Sequence, residues 1–283
     1  MKLKITLLFL ICFSKIYTQK IEREVGPIKI TYETYHLKDS KKTKTEKSKY
    51  YFDDTGKLLE KISFGNQHSR KLNFIGEIEQ FTYLDEKIIS EKSWHSDCIC
   101  KNGKFITYTT DYFYDENNLL IKKLFSNPIT PPFLYKYEEN KTEIHSGDYY
   151  TQQIFDNQKR LIQFNQMSEA TNKIRWQYLY EYKDNITIAH FQTYYGDGKE
   201  NSKTETRYYD LQKRIKSEEI INYNKTKILY EYSKDGMLNK IKEYESSIKS
   251  ENYKLLRMTK IKVNRKRTNL STEAIKKINS QLI

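Results

Sequence analysis

The chain has 283 residues, a formal net charge of +13, and an unusual surplus of tyrosine, with 25 copies beside 13 phenylalanines. Three cysteines are too few for a disulfide framework, and 31% charged residues argue against an ordinary apolar core. A tyrosine ring has an apolar body and a wet end, so this composition favours a thin β-sheet with much exposed surface.

Residues 1–19 are predicted to form a secretory signal peptide. Two lysines precede an apolar run at 5–13, which is shorter than the about 20 residues that a membrane-spanning helix needs. Cleavage after Thr18 is expected; a buried first strand and a lipid anchor at Cys12 are the alternatives. We therefore expect an exported chain that is periplasmic, outer-membrane-associated or extracellular. The mature part is expected to have no transmembrane segment.

A sequence frame recurs along the middle of the chain. In Lys49 to Ile62 an aromatic residue, any residue and a second aromatic residue precede a five-residue polar connection and an aliphatic residue. The frame returns seven times, and each copy is predicted to be a β-hairpin. The anchor aromatic of each copy falls at Phe52, Tyr83, Tyr114, Tyr137, Phe155, Tyr182, Tyr209 and Tyr232.

The repeat predicts one aromatic-rich face, because alternate side chains of a strand share a face. Gly56 and Gly236 are expected to take positive φ in their turns, with Asn118 in the same role. Leu58, Ile62 and Phe64 are expected to return along the face of Phe52. The predicted repeat-anchor aromatics are Tyr50, Phe52, Phe81, Tyr83, Tyr112, Tyr114, Tyr135, Tyr137, Phe155, Tyr180, Tyr182, Tyr209, Tyr230 and Tyr232.

The frame resembles the YD (Rhs) repeat, in which Tyr-Asp precedes a short turn, then glycine, a basic residue and leucine. The likeness rests on Phe52-Asp53 with Gly56-Lys57-Leu58, Tyr114-Asp115 with Leu120, Phe155-Asp156 with Arg160-Leu161, and Tyr209-Asp210 with Arg214-Ile215. The resemblance implies a ribbon of hairpins outside the cytoplasm, used for binding or as a scaffold. Long members of that family close into hollow shells around toxins, and about eight units are expected to be too few for such a shell. MORN-like repeats are the alternative, but they need more glycine.

The predicted fold is all-β, with antiparallel hairpins forming one long twisted or curved meander sheet and a short C-terminal helix. The domains are a signal peptide at 1–19, an N-terminal strand or linker at 20–48, the hairpin repeats at 49–245, and a basic segment with a helix at 246–283. Ser271 or Thr272 is predicted to cap a helix that ends near Leu282. Covering the last sheet edge is the favoured role for this helix over an electrostatic tether.

Two segments interrupt the repeat. Residues 127–132 hold three of the four prolines and are predicted to form a loop, which could divide the sheet into two halves. Residues 195–202 are predicted to form a long polar hairpin tip. Asp197 and Glu200 there supply too few oxygens for a calcium site.

Reactive side chains concentrate only at residues 94–101. Cys98 and Cys100 are a candidate disulfide or a pair of thiols, because a structural zinc site needs four ligands and no second cysteine pair exists. His68, His145 and His190 stand alone, and no catalytic, cofactor or metal site is predicted. A non-enzymatic protein is therefore expected.

The function favoured by the sequence is an exported binding or scaffold module for a glycan, cell-envelope component or protein partner. A partner or immunity factor of an Rhs-type toxin system and a cryptic hydrolase are the alternatives. The basic balance suggests peripheral contact with an anionic envelope surface, and nucleic acid is not an expected partner.

Overall fold

A computed structural model describes residues 26–38, 41–65, 72, 75–96, 105–195, 198–250, 252–265 and 270–283. The signal peptide prediction and Cys12 lie outside these residues. The elements are β1 (Ile28–Lys38), β2 (Lys41–Phe52), β3 (Leu58–Phe64), β4 (Ile75–Leu84), β5 (Lys87–Ser96), β6 (Phe105–Tyr114), β7 (Leu120–Phe125), β8 (Phe133–Glu138), β9 (Lys141–Ser146), β10 (Tyr149–Phe155), β11 (Leu161–Ser168), β12 (Ile174–Lys183), β13 (Ile186–Tyr195), β14 (Gly198–Tyr209), β15 (Ile215–Ile221), β16 (Asn224–Tyr232), β17 (Leu238–Ser247), β18 (Lys254–Arg265) and α1 (Thr272–Leu282).

The strands form a closed antiparallel barrel of 18 strands. Each strand pairs with its neighbours in sequence, and β1 also pairs with β18, from Ile28 opposite Arg265 to His36 opposite Arg257. The prediction of an open meander sheet is therefore wrong. Closure depends on pairing between segments at the two ends of the chain, which no local pattern encodes.

The eight predicted repeats correspond to eight hairpins, which confirms that part of the prediction. The anchor aromatics stand at or next to the last residue of β2, β4, β6, β8, β10, β12, β14 and β16, and each precedes the turn into the following strand. These eight turns therefore lie at one end of the barrel, which we call the anchor end. The strands β1 and β18, which flank the repeats, complete the ring.

The proline-rich segment 127–132 is a loop between β7 and β8, as predicted. It does not divide the sheet, because β7 and β8 still pair at Lys122 with Leu134 and at Lys123 with Phe133. The predicted polar tip at 195–202 is largely wrong, because β14 already begins at Gly198.

The C-terminal helix α1 confirms the predicted cap, since the Ser271 hydroxyl accepts a hydrogen bond from the Ala274 amide at 3.1 Å. Its predicted role is wrong: β1 and β18 pair with each other, so there is no sheet edge at this point to cover. The helix packs instead on one face of the sheet and forms a hydrophobic cluster with it. The buried residues of this cluster are Ile28, Ile30, Phe52, Met237, Leu238, Ile261, Ile278 and Leu282.

A bulge in the first hairpin reverses one predicted parity. Phe52 pairs with Leu58, but Tyr51 pairs with Glu60, so Leu59 is an extra residue in β3. Leu58 stays on the face of Phe52, whereas Ile62 and Phe64 lie on the opposite face, with Ile62 buried against Tyr51, Ile78 and Trp94. A one-residue shift moves every later side chain to the other face.

No helix among the described residues is both long and apolar enough to cross a membrane.

Candidate functional site

The predicted repeat-anchor aromatics lie on one face of the sheet, which we call the aromatic face. Directly paired residues of antiparallel strands share a face, and the register connects the anchors from Phe52 to Tyr232. Ring contacts agree with this placement: Tyr50 stacks on Phe52 with a centroid distance of 6.4 Å, and Tyr180 stacks on Tyr178 at 6.0 Å.

The aspartate of the YD-like frame organises the turn that follows it. One carboxylate oxygen of Asp210 accepts the backbone amides of Gln212 and Arg214 at 2.9 and 3.0 Å, and the other accepts the Arg214 guanidinium at 2.7 Å. Asp156 and Arg160 repeat the same arrangement. The carboxylate thus satisfies turn amides that the ladder leaves unpaired.

The last turn residue before the basic position takes positive φ in five hairpins: Gly56, Asn118, Lys159, Lys213 and Gly236. In each, its amide bonds to the carbonyl three residues earlier, which makes a tight turn followed by a bulge. The expectation for Gly56, Gly236 and Asn118 is confirmed. Lys159 and Lys213 adopt the same backbone conformation despite its cost for a residue with a Cβ.

Five anchor tyrosines reach back to the preceding hairpin through what we call the tyrosine latch. Each hydroxyl donates to the backbone carbonyl of a residue at the start of the preceding return strand: Tyr83 to Leu58, Tyr114 to Ile88, Tyr137 to Leu120, Tyr182 to Leu161 and Tyr232 to Ile215, at 2.7 to 3.0 Å. Phe52 and Phe155 lack the hydroxyl. The latch joins consecutive repeats in addition to the ladder bonds.

The basic residue of the frame completes the latch by lying over the ring of the next anchor tyrosine. The guanidinium of Arg214 lies 4.4 Å from the Tyr232 ring centroid, and Arg160 lies 4.8 Å from that of Tyr182. In the same way, Lys57 lies over the ring of Tyr83 and Lys87 lies over the ring of Tyr114. A cation over a ring face is attracted by the ring quadrupole, so the basic and aliphatic positions of the frame both serve the following repeat.

The environment keeps the latch hydroxyls protonated. Burial, with the nearby carboxylates of Asp53 and Glu86, raises the pKa of Tyr83 to about 12. Burial likewise raises the pKa of Tyr232 to about 12, although Arg214 opposes the shift. The anchors are therefore structural donors. The sequence pattern predicted the face on which the anchors lie but not their hydrogen bonds. The one feature of the sequence that could have indicated these bonds is the recurrent basic residue before an aliphatic residue.

A second set of rings on the aromatic face forms an aromatic patch, which we define as Phe164, Trp176, Tyr178, Tyr180 and Phe191. Trp176 contacts Phe164, Tyr178 and Phe191 with centroid distances of 5.3, 6.1 and 6.2 Å. All five rings are partly exposed, and none belongs to the cluster under α1. Only Tyr180 was among the predicted residues, although the alternation through 176–182 carried the signal.

Charged side chains border the aromatic patch. Lys203 lies over the rings of Tyr178 and Phe191 and forms an ion pair with Glu205. Further along the face, Glu218 accepts from Arg207 at 3.1 Å and from the Tyr230 hydroxyl at 3.2 Å. Burial and then the Glu218 charge raise the pKa of Tyr230 above its ordinary value.

A polar cluster on the same face includes part of the predicted reactive segment. His95 pairs with Glu77 at 3.1 Å, and Lys61 pairs with Glu79 at 2.5 Å. Burial and the neighbouring Glu79 raise the pKa of Glu77. Trp94, which precedes His95 in the sequence, is buried on the opposite face. The side chains of the predicted reactive segment are therefore divided between the two faces of the sheet.

The remaining sequence candidates do not assemble into one site. Cys98 and Cys100, the candidate disulfide, lie outside the described residues, as do His68 and Asp197. His145 stacks on Tyr150 at 5.0 Å, and His190 lies 3.5 Å from Glu181. Among the residues that the structure describes, no three His, Cys, Asp or Glu side chains are grouped as metal ligands.

No protein-family model matches the chain, and no curated protein matches it. Among solved structures, a porin-like protein from Bacteroides uniformis is similar over 85% of this chain and 98% of its own length, with 9% identity and a TM-score of 0.43. A porin-like protein from Bacteroides vulgatus has 9% identity and a TM-score of 0.27 over 82% of this chain and 97% of its own length. A mutant Tc holotoxin pore from Photorhabdus luminescens has 13% identity and a TM-score of 0.30. The match covers 80% of this chain and 14% of that one. At these values the likeness carries no function over and assigns no family.

Proposed function

We propose that this chain is an exported, non-enzymatic binding or scaffold protein that recognises a glycan through its aromatic patch. The observation that carries the proposal is a set of five contacting rings that remain partly exposed on a sheet otherwise rich in charged residues. Tryptophan and tyrosine rings are frequent anchors of binding surfaces because they bury large area at low entropic cost.

The patch is separate from the residues that hold the fold together. The tyrosine latch uses Tyr182 at the end of β12, and α1 covers rings from β1, β2 and β16 instead. Trp176 and Tyr178 form no latch, so their exposure is not required by the turn chemistry. Rings that are not needed for closure are therefore available to a ligand.

The chemistry around the patch suits a sugar. Flat rings can stack on the apolar faces of pyranose rings, while the Lys203–Glu205 pair supplies a fixed donor and acceptor at the border. A protein partner would bind through the same exposed rings.

The test is glycan-array binding of the mature chain beside a Trp176→Ala, Tyr178→Ala double variant. We expect the variant to lose at least about tenfold in apparent affinity, in line with the loss of a binding anchor. The control is Phe113→Ala with Leu134→Ala, two exposed apolar residues on the opposite face. Unchanged binding by the Trp176 and Tyr178 variant would contradict ring-mediated recognition. Tyr114 is unsuitable for this test because its substitution would also break a latch.

A further inference from the structure

The face opposite the aromatic face carries a dense field of lysines on five consecutive strands, β16, β17, β18, β1 and β2. Closure of the barrel makes these strands neighbours, because β18 pairs with β1 and β1 with β2. We call this surface the lysine face. Its lysines are Lys29, Lys42, Lys44, Lys47, Lys49, Lys225, Lys227, Lys240, Lys242, Lys260 and Lys262.

The lysine face concentrates most of the excess charge of the chain. Its eleven lysines stand against two glutamates on the same face of these strands, Glu33 and Glu231, so its net charge is 11 − 2 = +9. The whole chain has a formal net charge of +13. The sequence positions run from 29–49 to 225–262, so only the folded barrel brings them together.

Like charges meet on this surface, and its two glutamates pair with only some of the lysines. Lys240 and Lys260 are directly opposite each other on β17 and β18, an arrangement that is destabilising in itself. Loss of solvation by its neighbours and then the charge of Lys260 lower the pKa of Lys42. The Glu33 carboxylate pairs with Lys44, and Glu231 pairs with Lys240 and Lys242. No described carboxylate lies within 4 Å of Lys42, Lys47, Lys260 or Lys262.

The aromatic rings next to these lysines are already covered by ammonium groups. Lys42 and Lys44 lie 4.1 and 5.6 Å from the Tyr35 ring centroid, and Lys47 lies 4.6 Å from that of Phe64. Rings engaged in this way are not open for stacking on nucleic-acid bases, which single-strand binding would use. The lysine face therefore offers a ligand positive charge and not free aromatic rings.

No apolar side chain that the structure describes on the lysine face is exposed enough to enter a bilayer. The exposed large hydrophobic residues of the described chain lie elsewhere, on other strands and in loops such as those of Tyr223 and Ile248. Peripheral membrane binding commonly adds apolar insertion to charge. Cations spaced by about 4.8 Å between strands and about 6.8 Å along a strand instead match closely spaced anionic groups on a polymer.

We propose that the lysine face binds a linear acidic polysaccharide, through the sulfate or carboxylate groups of successive sugars. The site lies on the face opposite the aromatic patch, so this inference does not rest on the function proposed above. Binding would release counterions from the polymer and would weaken steeply with salt.

The experiment measures the anisotropy of a fluorescein-labelled heparin oligosaccharide with the mature chain at several salt concentrations. The test variant is Lys42→Gln, Lys260→Gln, Lys262→Gln, which leaves the lysines paired with Glu33 and Glu231 in place. The control, Lys122→Gln, Lys136→Gln, Lys183→Gln, removes the same charge from the same face on distant strands. We expect about tenfold weaker binding and a shallower salt dependence in the test variant, and less than about a twofold change in the control.

Thermal unfolding of both variants checks the fold, and the test variant should not be destabilised because it relieves like-charge contacts. Equal loss in the two variants would overturn the proposal, since total charge alone would then explain binding. Tighter binding to phosphatidylglycerol vesicles or to single-stranded DNA of equal charge would also overturn it. Those results would assign the lysine face to a membrane or a nucleic acid.

Discussion

Two regions of the aromatic face use the same repeat in different ways. Under α1, the ring of Phe52 is fully buried at 0% exposure, with Tyr50, Tyr230 and Tyr232 packed around the same cluster. On β11 to β13 the rings of the aromatic patch contact one another, yet each keeps part of its surface exposed. The repeat frame therefore supplies hairpin turns in both regions, and the rings are buried where α1 covers them.

The largest difference in unfolding free energy is expected between a ring under α1 and a ring in the aromatic patch. We expect Phe52→Ala to lower the free energy of unfolding by about 3–5 kcal/mol, because it leaves a cavity between the sheet and α1. Trp176→Ala in the open patch should cost less than about half of that, since its ring already contacts solvent. Urea unfolding followed by far-UV circular dichroism measures both. Equal costs would mean that the patch is as much a core as the helix-covered region.

A smaller effect tests how tightly α1 sits on the turns of the anchor end. A Cβ at Gly56 would lie 2.8 Å from the Ala274 carbonyl oxygen, whereas one at Gly236 would meet nothing closer than 3.7 Å. Both residues have positive φ, so Gly236→Ala should cost about 1 kcal/mol from backbone strain alone. Gly56→Ala should cost more, measured by the same unfolding assay. Identical losses would show that the helix does not press on this turn.

The tyrosine latch should be worth the same in both regions. Tyr232→Phe near α1 and Tyr182→Phe beside the patch each remove one hydroxyl–carbonyl bond, and we expect about 0.5–1.5 kcal/mol lost in each. Tyr180→Phe is the matched control, since its hydroxyl makes no hydrogen bond within the described residues. A loss in the Tyr180 variant as large as in the other two would remove the energetic distinction between latch and non-latch tyrosines.

The smallest effect concerns the turn aspartates and acid. Partial burial alone would raise the pKa of Asp210, but the Arg214 amide and guanidinium outweigh it and lower that pKa. A carboxylate with a lowered folded-state pKa stabilises the fold above about pH 4 and loses that contribution as pH falls through its folded value. The difference in melting temperature between the parent and Asp210→Asn should therefore shrink from pH 6 towards strong acid. A constant difference would indicate that the ionised carboxylate is not the stabilising species.

The local parts of this fold were readable from sequence, and the long-range parts were not. A pair of aromatic residues, a short polar connection and an aliphatic residue recur along the chain, so all eight hairpins could be predicted, as could the cap at Ser271. The bulge at Leu59 could not be, and it moved Ile62 to the other face. Barrel closure could not be predicted either, since the pairing of Ile28 with Arg265 depends on sheet curvature accumulated over all the intervening strands.

In the candidate sites, too, the local features could be predicted from the sequence and the long-range ones could not. The anchor tyrosines were found because they repeat, yet their strongest contacts are latches between repeats rather than contacts to a ligand. The aromatic patch depends on Phe164, Trp176 and Phe191, which lie on three strands and have no common spacing in the sequence. The lysine face joins both ends of the chain, so its charge density exists only in the closed barrel.

The two tryptophans of the chain can test whether the aromatic face is open to solvent at the patch. Trp94 is 5% exposed on the opposite face, whereas Trp176 belongs to the patch. Acrylamide quenching of Trp94→Phe reports Trp176 alone, and quenching of Trp176→Phe reports Trp94 alone. We predict several-fold stronger quenching for Trp176, together with protection of Trp176 alone by a glycan found on the array. Equal quenching of the two tryptophans, or protection of Trp94 instead, would show that the patch is not an open binding surface.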